Sequence, residues 1–343
     1  MDVKSRKVSP PSQPRMVDVA RLAGVSHQTV SRVLNDSPLV GPELRQRVNE
    51  AIRLLGYRRN RAARTLATRR TMNLGVVCFG IEKYGPTLAL YGMAEASREA
   101  GYGTSLISLP DVDRDTVRAA LEHLVAIGVD GIAVIAPVRG AVDAVLGFTE
   151  QLPLVAFEPG AAHGGRIVAI DEVLGARLAT RHLVELGHTT VWHVAGPLGW
   201  LASEARISGW RQELAAHGLA MHEPIRGDWS AESGHRAGKL LAENPNVTAI
   251  YVANDQMSLG VIEALNERGK DIPNDVSIVG FDDIPEAAFF RPPLTTVKLD
   301  FEEVGRSCVG QLLRIINGEE LPLVPLLEPV LRVRRSTAPP RPQ

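Results

Sequence analysis

Cysteine is scarce in this chain: 343 residues hold only Cys78 and Cys308, both in apolar surroundings. Two lone cysteines in a chain this long are too few for a disulfide-stapled secreted scaffold and read as reduced thiols in a core, a single disulfide between them being the needless alternative. No apolar run approaches the roughly 18 residues that a spanning helix needs, which excludes a transmembrane segment. The first fifteen residues, MDVKSRKVSPPSQPR, lack the apolar stretch of a signal peptide, so a cytoplasmic protein is expected. Catalytic signatures are missing as well. There is no G-x-x-x-x-G-K-S/T, no G-x-S-x-G, no G-x-G-x-x-G after a strand and no H-E-x-x-H. The nine histidines are scattered, and His188 and His193 beside one strand have no metal-ligand spacing and read as structural. Asp282 and Asp283 do not make a hydrolase pair, because neighbours on an extended strand point to opposite faces. No cofactor or metal is expected, and an enzyme has no visible machinery.

Net charge is also nearly absent, at −1, but this hides an uneven distribution. Residues 1–70 carry 15 Lys and Arg against 5 Asp and Glu, a net of +10, which leaves −11 for the remainder. A basic head on an acidic body fits a polyanion-binding module joined to something that does not touch the polyanion. With 45% hydrophobic and 22% charged residues, the composition is that of a globular chain of about two or three domains.

The stretch VDVARLAGVSHQTVSRVLN, residues 17–35, carries the most information. Ala20, Leu22 and Ala23 end a first helical pattern over 16–23, Gly24 can supply a tight turn, and Ser26 stands where a helix N-cap belongs. In the second helix, 26–34, Val30, Val33 and Leu34 share one face, leaving His27, Gln28, Ser31 and Arg32 on the other. An outer face of hydrogen-bonding side chains suits a helix laid into a DNA major groove; the alternative is an ordinary surface helix in a helical hairpin. Pro42 can open a third helix, whose apolar set Leu44, Val48, Ala51, Ile52 and Leu55 runs to Gly56. Residues 1–14, rich in Pro, Ser and Lys, read as a disordered arm. The segment RRNRAARTLATRR, 58–70, is too polar to fold alone. It is either a solvated linker or a segment that becomes helical on phosphates, with Leu66 as a wedge for an opened minor groove.

From Met72 short apolar runs alternate with helical segments: 73–80, 104–109, 131–136, 154–158, 167–171, 190–196, 248–255, 276–283 and 295–300. Such runs indicate parallel sheets covered on both faces. Several end in Glu158, Asp171, Asn254-Asp255 or Asp282-Asp283, at the edge where open α/β sheets bind ligands. The strand count calls for two lobes with a cleft between them. Arg206 offers forked donors, Asp282 and Glu158 accept, Asn254 does both and Trp229 can stack, a set that suits a sugar. Taken singly, a strand-end Asp is as well read as a helix cap and a lone Trp as core.

The phrases DVARLAGVSHQTVSRVLN, NRAARTLA, GDWSAESG, VANDQMSLG, IVGFDD and PPLTTVKLDF together resemble the lactose-repressor (LacI/GalR) family of bacterial transcription regulators over residues 16–338. The effector phrases lie nearer to its lactose branch than to its purine or ribose branches. The resemblance implies an α/β protein: a three-helix helix-turn-helix headpiece (15–58), a hinge helix (59–71) and a two-lobed, periplasmic-binding-protein-like core (72–338). Its first lobe would span about 72–169 and 299–328, and its second about 170–298 and 329–338. It further implies that His27 and Gln28 read bases with Arg32 beside them. Thr29, Ser31 and Asn35 would contact phosphate or base, and Leu66 would wedge into the central step with Asn60 and Ala63 on its flanks. In the core it implies effector contacts from Tyr84, Pro86, Glu158, Arg206, Trp229, Asn254, Asp282 and Phe301.

Departures from the pattern bear on the details. Arg15 replaces the usual Thr or Ser cap of the first helix. His27, Leu299, Ala202 and Tyr84 replace a tyrosine, a glutamine, a serine and a histidine of the lactose branch. The chain ends without a leucine heptad, so a homodimer is expected rather than a tetramer. The function implied is a repressor of sugar-utilisation genes, nucleoid-associated, binding palindromic double-stranded operator DNA and released by a small sugar. A sugar-binding protein or a carbohydrate-acting enzyme on the same core is the alternative.

Overall fold

A computed structural model describes residues 14–34, 36–57, 70–110, 114–138, 152–157 and 165–341. The arm at 1–13, Asn35, the segment 58–69 with Asn60, Ala63 and Leu66, and Glu158 lie outside the described residues. The chain divides into two compact units, Met1–Thr71 and Met72–Gln343.

The first unit contains α1 (Met16–Ala23), α2 (His27–Leu34) and α3 (Pro42–Leu55). Gly24 and Gly56 close α1 and α3 in the left-handed region, at φ 62° and 58°, where glycine alone carries no Cβ penalty. The core is built from small aliphatic side chains: Val19, Ala20 and Ala23 of α1, Val30 and Val33 of α2, Val40, and Val48 and Ala51 of α3. Two positions on the expected apolar faces are turned outward instead, Leu22 at 52% exposure and Leu44 at 38%. Helix α1 starts firmly despite Arg15, because the Arg15 N–H donates to the Asp18 carboxylate at 2.9 Å.

The second unit has two sheets. One runs in the order β2-β1-β3-β4-β5, all parallel, with β1 Asn73–Phe79, β2 Gly103–Leu109, β3 Gly131–Ile135, β4 Leu154–Phe157 and β5 Ile167–Val168. The other runs β11-β10-β9-β8-β6-β7, with β6 Trp192–Ala195, β7 Ile225–Arg226, β8 Ala249–Val252, β9 Ser277–Asp282, β10 Thr295–Lys298 and β11 Val330–Arg332. Only β11 is antiparallel to its neighbour.

Helices α4 (Tyr84–Glu99) and α10 (Phe301–Asn317) cover one face of the first sheet, and α5 (Arg114–Ile127) covers the other. Residues alternate accordingly along β1, with Leu74, Val76 and Cys78 on the α4/α10 side and Val77 and Phe79 on the α5 side. The second sheet is sandwiched between α6 (Glu172–Glu185) with α7 (Leu201–Ala216), and α8 (Ala231–Ala242) with α9 (Asp255–Glu267). Paired helices meet through glycine. A Cβ on Gly92 of α4 would lie 2.2 Å from the Glu302 carbonyl of α10, and one on Gly260 of α9 would lie 1.9 Å from the Ala231 carbonyl of α8.

The chain passes between the sheets three times: after β5, after β10 into α10, and after α10 into β11. Both cysteines are buried and free, with burial pushing the Cys78 thiol up to about 12. His188 bonds Thr248 and the Ala338 carbonyl, and His193 bonds the Tyr251 carbonyl, so both are structural. Among the described residues no helix is long and apolar enough to cross a membrane, and no group of His, Cys, Asp and Glu could hold a metal.

Candidate functional site

Two surfaces carry the chemistry. On the first unit, Ser26 caps α2, its hydroxyl accepting the Thr29 N–H at 3.1 Å and lying 2.9 Å from the Thr29 hydroxyl. Ser26 and Thr29 are therefore engaged locally. His27, Gln28 and Arg32 are exposed and have no side-chain hydrogen-bond or ion-pair partner among the described residues, while Ser31 is half-buried beside them. A buried stripe of Val30 and Val33 holds this polar face outward. Not every arginine of the headpiece is free. Arg45 bonds Asp36 and the Ser37 carbonyl, and Arg47 bonds the Ala23 carbonyl, so these two hold the helices together.

In the second unit a cavity of about 380 Å³ opens at the carboxyl ends of strands from both sheets. From the first sheet it receives Glu82 to Pro86 after β1, Ile135 and Pro137 at β3 and Phe157 of β4; from the second it receives Trp229 after β7, Asn254 after β8 and Asp282 of β9. This is the edge at which open α/β sheets take ligands.

Arg206 of α7 is the centre of the polar set and is 4% exposed. Its Nε donates to Glu172 at 2.8 Å, its Nη2 to Glu172 and to Asp282 at 3.3 Å each, and its Nη1 to the Ala253 carbonyl. The guanidinium lies over the Phe281 ring at 3.9 Å and within 5.5 Å of the Trp229 ring centre. Burial pushes Asp282 up to about 7 while Arg206 opposes the shift, so this carboxyl can accept or donate near neutral pH. Burial, aided by the charges of Asp282, Asp283 and Asp255, pushes the Tyr84 phenol up to about 12 and keeps it neutral.

The backbone at the site is strained. Asp282 has φ 102° and Trp229 φ 73°, both in the region that favours glycine. Gly196 makes room for the indole of Trp229, since a Cβ there would stand 2.2 Å from that ring. Trp200 meets Trp229 edge-on, with ring centres 5.8 Å apart and planes at 69°. Phe301 stands edge-on to Tyr84 at 6.2 Å.

Seven of the expected core residues line this cavity: Tyr84, Pro86, Arg206, Trp229, Asn254, Asp282 and Phe301. Asn254 is partly engaged already. It caps α9 by accepting the Met257 N–H and donates to the Trp229 carbonyl and to Gln256. Ala202 lines the cavity, whereas Leu299 is buried in the core and is not part of the lining. Sequence reasoning missed Glu172 and Trp200. Glu172 follows the strand-end Asp171, which is the true cap of α6 through the Leu174 N–H, and nothing in its spacing marks it as the partner of an arginine 34 residues away. The phrase GPLGW, where a strand runs into a helix, was the available signal for Trp200.

Comparison with known proteins bears on both units. Residues 15–60 match the family of bacterial regulatory proteins, lacI family, and residues 180–337 match the periplasmic binding protein-like domain. The lactose operon repressor of Escherichia coli (strain K12) is 32% identical over 94% of this chain and 90% of its own length. The HTH-type transcriptional regulator CelR of Thermobifida fusca is 35% identical over 94% of this chain and 98% of its own. Among solved structures, a lac repressor dimer bound to operator and the anti-inducer ONPF superposes with a TM-score of 0.83 at 30% identity, covering 95% of this chain and all of that one. A CelR–cellobiose complex superposes with a TM-score of 0.68 at 31% identity, covering 94% of this chain and 99% of that one.

Proposed function

Since the chain belongs to the lacI family of bacterial regulatory proteins, we propose that it is a cytoplasmic repressor of sugar-utilisation genes, dimeric on a palindromic operator and released by a small sugar. The observation that carries this reading is the cavity. Forked cationic donors, a carboxyl poised near neutrality and an indole face converge there, and the same chain bears a basic headpiece with an unpartnered polar helix face. The relatives are transcriptional regulators, which agrees with the lack of catalytic signatures.

We infer a headpiece at 15–58, a hinge at 59–71 and an effector core at 72–338, its lobes about 72–169 with 299–328 and 170–298 with 329–338. His27, Gln28 and Arg32 choose the base sequence. Gln28 can pair with an adenine edge and Arg32 with a guanine edge. Ser26 belongs to the same DNA-facing surface, Thr29, Ser31 and Asn35 contact phosphate or base, and Leu66, flanked by Asn60 and Ala63, enters the central minor-groove step. Tyr84, Pro86, Glu158, Arg206, Trp229, Asn254, Asp282 and Phe301 hold the sugar between the lobes. Binding that favours one lobe arrangement alters the spacing of the two hinges in the dimer and disfavours their helices. The sugar has to bind the two arrangements unequally, with coupling of about 1–3 kcal/mol typical.

The test is a mobility shift with an operator selected from random duplexes, repeated across a carbohydrate panel. Specific binding that a sugar reverses is expected. Arg32→Ala lowers the preference for the selected duplex over random DNA by about 1–3 kcal/mol and relaxes the choice at its base pair. An unchanged preference in that variant overturns the groove assignment.

A further inference from the structure

Resting on the reading of the cavity as the effector site, we infer that Arg334, which stands outside the cavity, is a positioning residue for effector binding. It anchors Asp283 and so keeps the neighbouring Asp282 carboxyl turned into the cavity.

The need for an anchor lies in the backbone. Asp282 at φ 102° and Asp283 at φ 54° are consecutive residues other than glycine in the region that disfavours L side chains. Such a pair persists only where its surroundings hold it on several sides. The two side chains take different partners. Asp282 lines the cavity and meets Arg206, whereas Asp283 is not part of the lining, and its carboxylate accepts from Arg334 Nη2 at 2.6 Å. The next residue is fixed as well, the Ile284 N–H donating to the buried Asp255 carboxyl at 2.9 Å. Arg206 therefore holds the turn from inside the cavity, Asp255 holds it from α9, and Arg334 holds it from the chain beyond β11.

Arg334 is itself firmly seated. Its Nη1 donates to the Leu294 carbonyl at 2.8 Å, and its backbone N–H donates to the Thr295 hydroxyl at 2.9 Å. The residues after it form a strap along the second sheet. Ser336 is fully buried: its hydroxyl donates to the Ile278 carbonyl and accepts the Thr295 N–H, and its carbonyl accepts the Ile278 N–H. Ala338 bonds the Ser277 hydroxyl, and Arg341 reaches Asp275 at 2.7 Å. Among the described residues of this strap, Arg334 makes the bond to the Asp282-Asp283 turn. The side chains of Arg334 and Asp283 are 23% and 13% exposed, so solvent screens their attraction weakly. The strap thus carries a charge to the back of the turn whose front meets the effector.

The experiment compares Arg334→Gln, Arg334→Lys and Asp283→Asn in the full-length protein, with Arg341→Ala as a control on the strap. Calorimetry uses whichever of lactose, cellobiose, galactose and glucose binds the parent protein most tightly. Arg334→Gln and Asp283→Asn each lose about tenfold in affinity, and the double substitution loses no more than either alone. Arg334→Lys lies between the parent and Arg334→Gln. Arg341→Ala, which loosens the far end of the strap, keeps the parent affinity. A second readout needs no sugar. Carbon-13 NMR of aspartate-labelled protein follows the Asp282 carboxyl, which burial pushes up to about 7. When Arg334→Gln releases the turn, that carboxyl gains water and its titration moves down toward the ordinary range, whereas mere loss of a nearby cation would move it up. Unchanged affinity in Arg334→Gln, an equal loss in Arg341→Ala, or an Asp282 titration that stays or rises overturns this inference and leaves the sugar-effector reading standing. If no sugar binds the parent, that reading falls, and the titration alone decides the role of Arg334.

Discussion

Asp282 is a carboxyl group in a place where its charge is hard to keep. Its folded-state value near 7 lies above the ordinary 3.8, so the folded protein holds a proton more firmly than the unfolded chain. Stability from this group is therefore present in acid and falls as pH rises from about 4 to about 7. Effector binding runs the other way where a sugar hydroxyl donates to the ionised form. Calorimetry is expected to show affinity rising from about pH 6 to about pH 8, and Asp282→Asn flattens that profile. Arg206→Ala makes a second test, and one of stability as much as of ligand binding. Removing the cation leaves Glu172 and Asp282 buried without compensation, at a cost of about 3–5 kcal/mol in urea unfolding. Adding Glu172→Gln recovers part of the loss. At this scale the sequence reveals residue types better than partnerships. Arg206, Trp229 and Asp282 were found because they stand in the recognisable phrases SEARISGW, GDWSAESG and IVGFDD. Glu172 was not, because an acidic residue at the start of a helix has an ordinary reading as a favourable charge on the helix dipole.

The turn between α1 and α2 illustrates what an element requires of its residues. Gly24 sits at φ 62°, and a Cβ there would stand 2.9 Å from the Arg47 guanidinium that reaches back to the Ala23 carbonyl. Gly24→Ala is expected to destabilise the headpiece by about 1–2 kcal/mol, read as a lower melting temperature with loss of operator binding at the same protein concentration. Helices α1 to α3 and nine of the strands could be placed from sequence because period and punctuation agreed: apolar runs, glycine stops, and caps at Ser26 and Asp171. Two strands were missed. Ile225–Arg226 is too short for any alternation to register, and Val330–Arg332 follows a proline-bearing stretch and pairs antiparallel at a sheet edge. The outward turn of Leu22 and Leu44 has the same origin, since the helical period cannot say which of two adjacent apolar stripes a small core will use.

Across the whole molecule, the basic charge and the sugar chemistry lie on different units. Operator affinity is expected to drop by roughly a thousandfold or more between about 50 and 200 mM salt if the dimer neutralises about six to ten phosphates. Sugar affinity, set by hydrogen bonds to uncharged hydroxyls in the cavity, changes little over the same range. Parallel salt dependence in the two titrations would contradict this separation. The two-lobed division was readable from the strand count, which exceeds what one small sheet holds. The distribution of pocket residues over nine separate segments was not, because only the closed topology brings strand ends of both sheets together.

The return of the chain to its first lobe constrains how that lobe is made. Helix α10 buries Val304, Cys308 and Leu312 against a sheet whose strands finished by Val168, and about 200 residues separate it from its neighbour α4. At about 5–20 residues per second, a ribosome takes about 10–40 s to supply it, and until then the groove around Ala89 and Met93 has no cover from this chain. The early part of the molecule thus emerges with an apolar flank open, making the growing polypeptide a client for holding factors until synthesis is almost done.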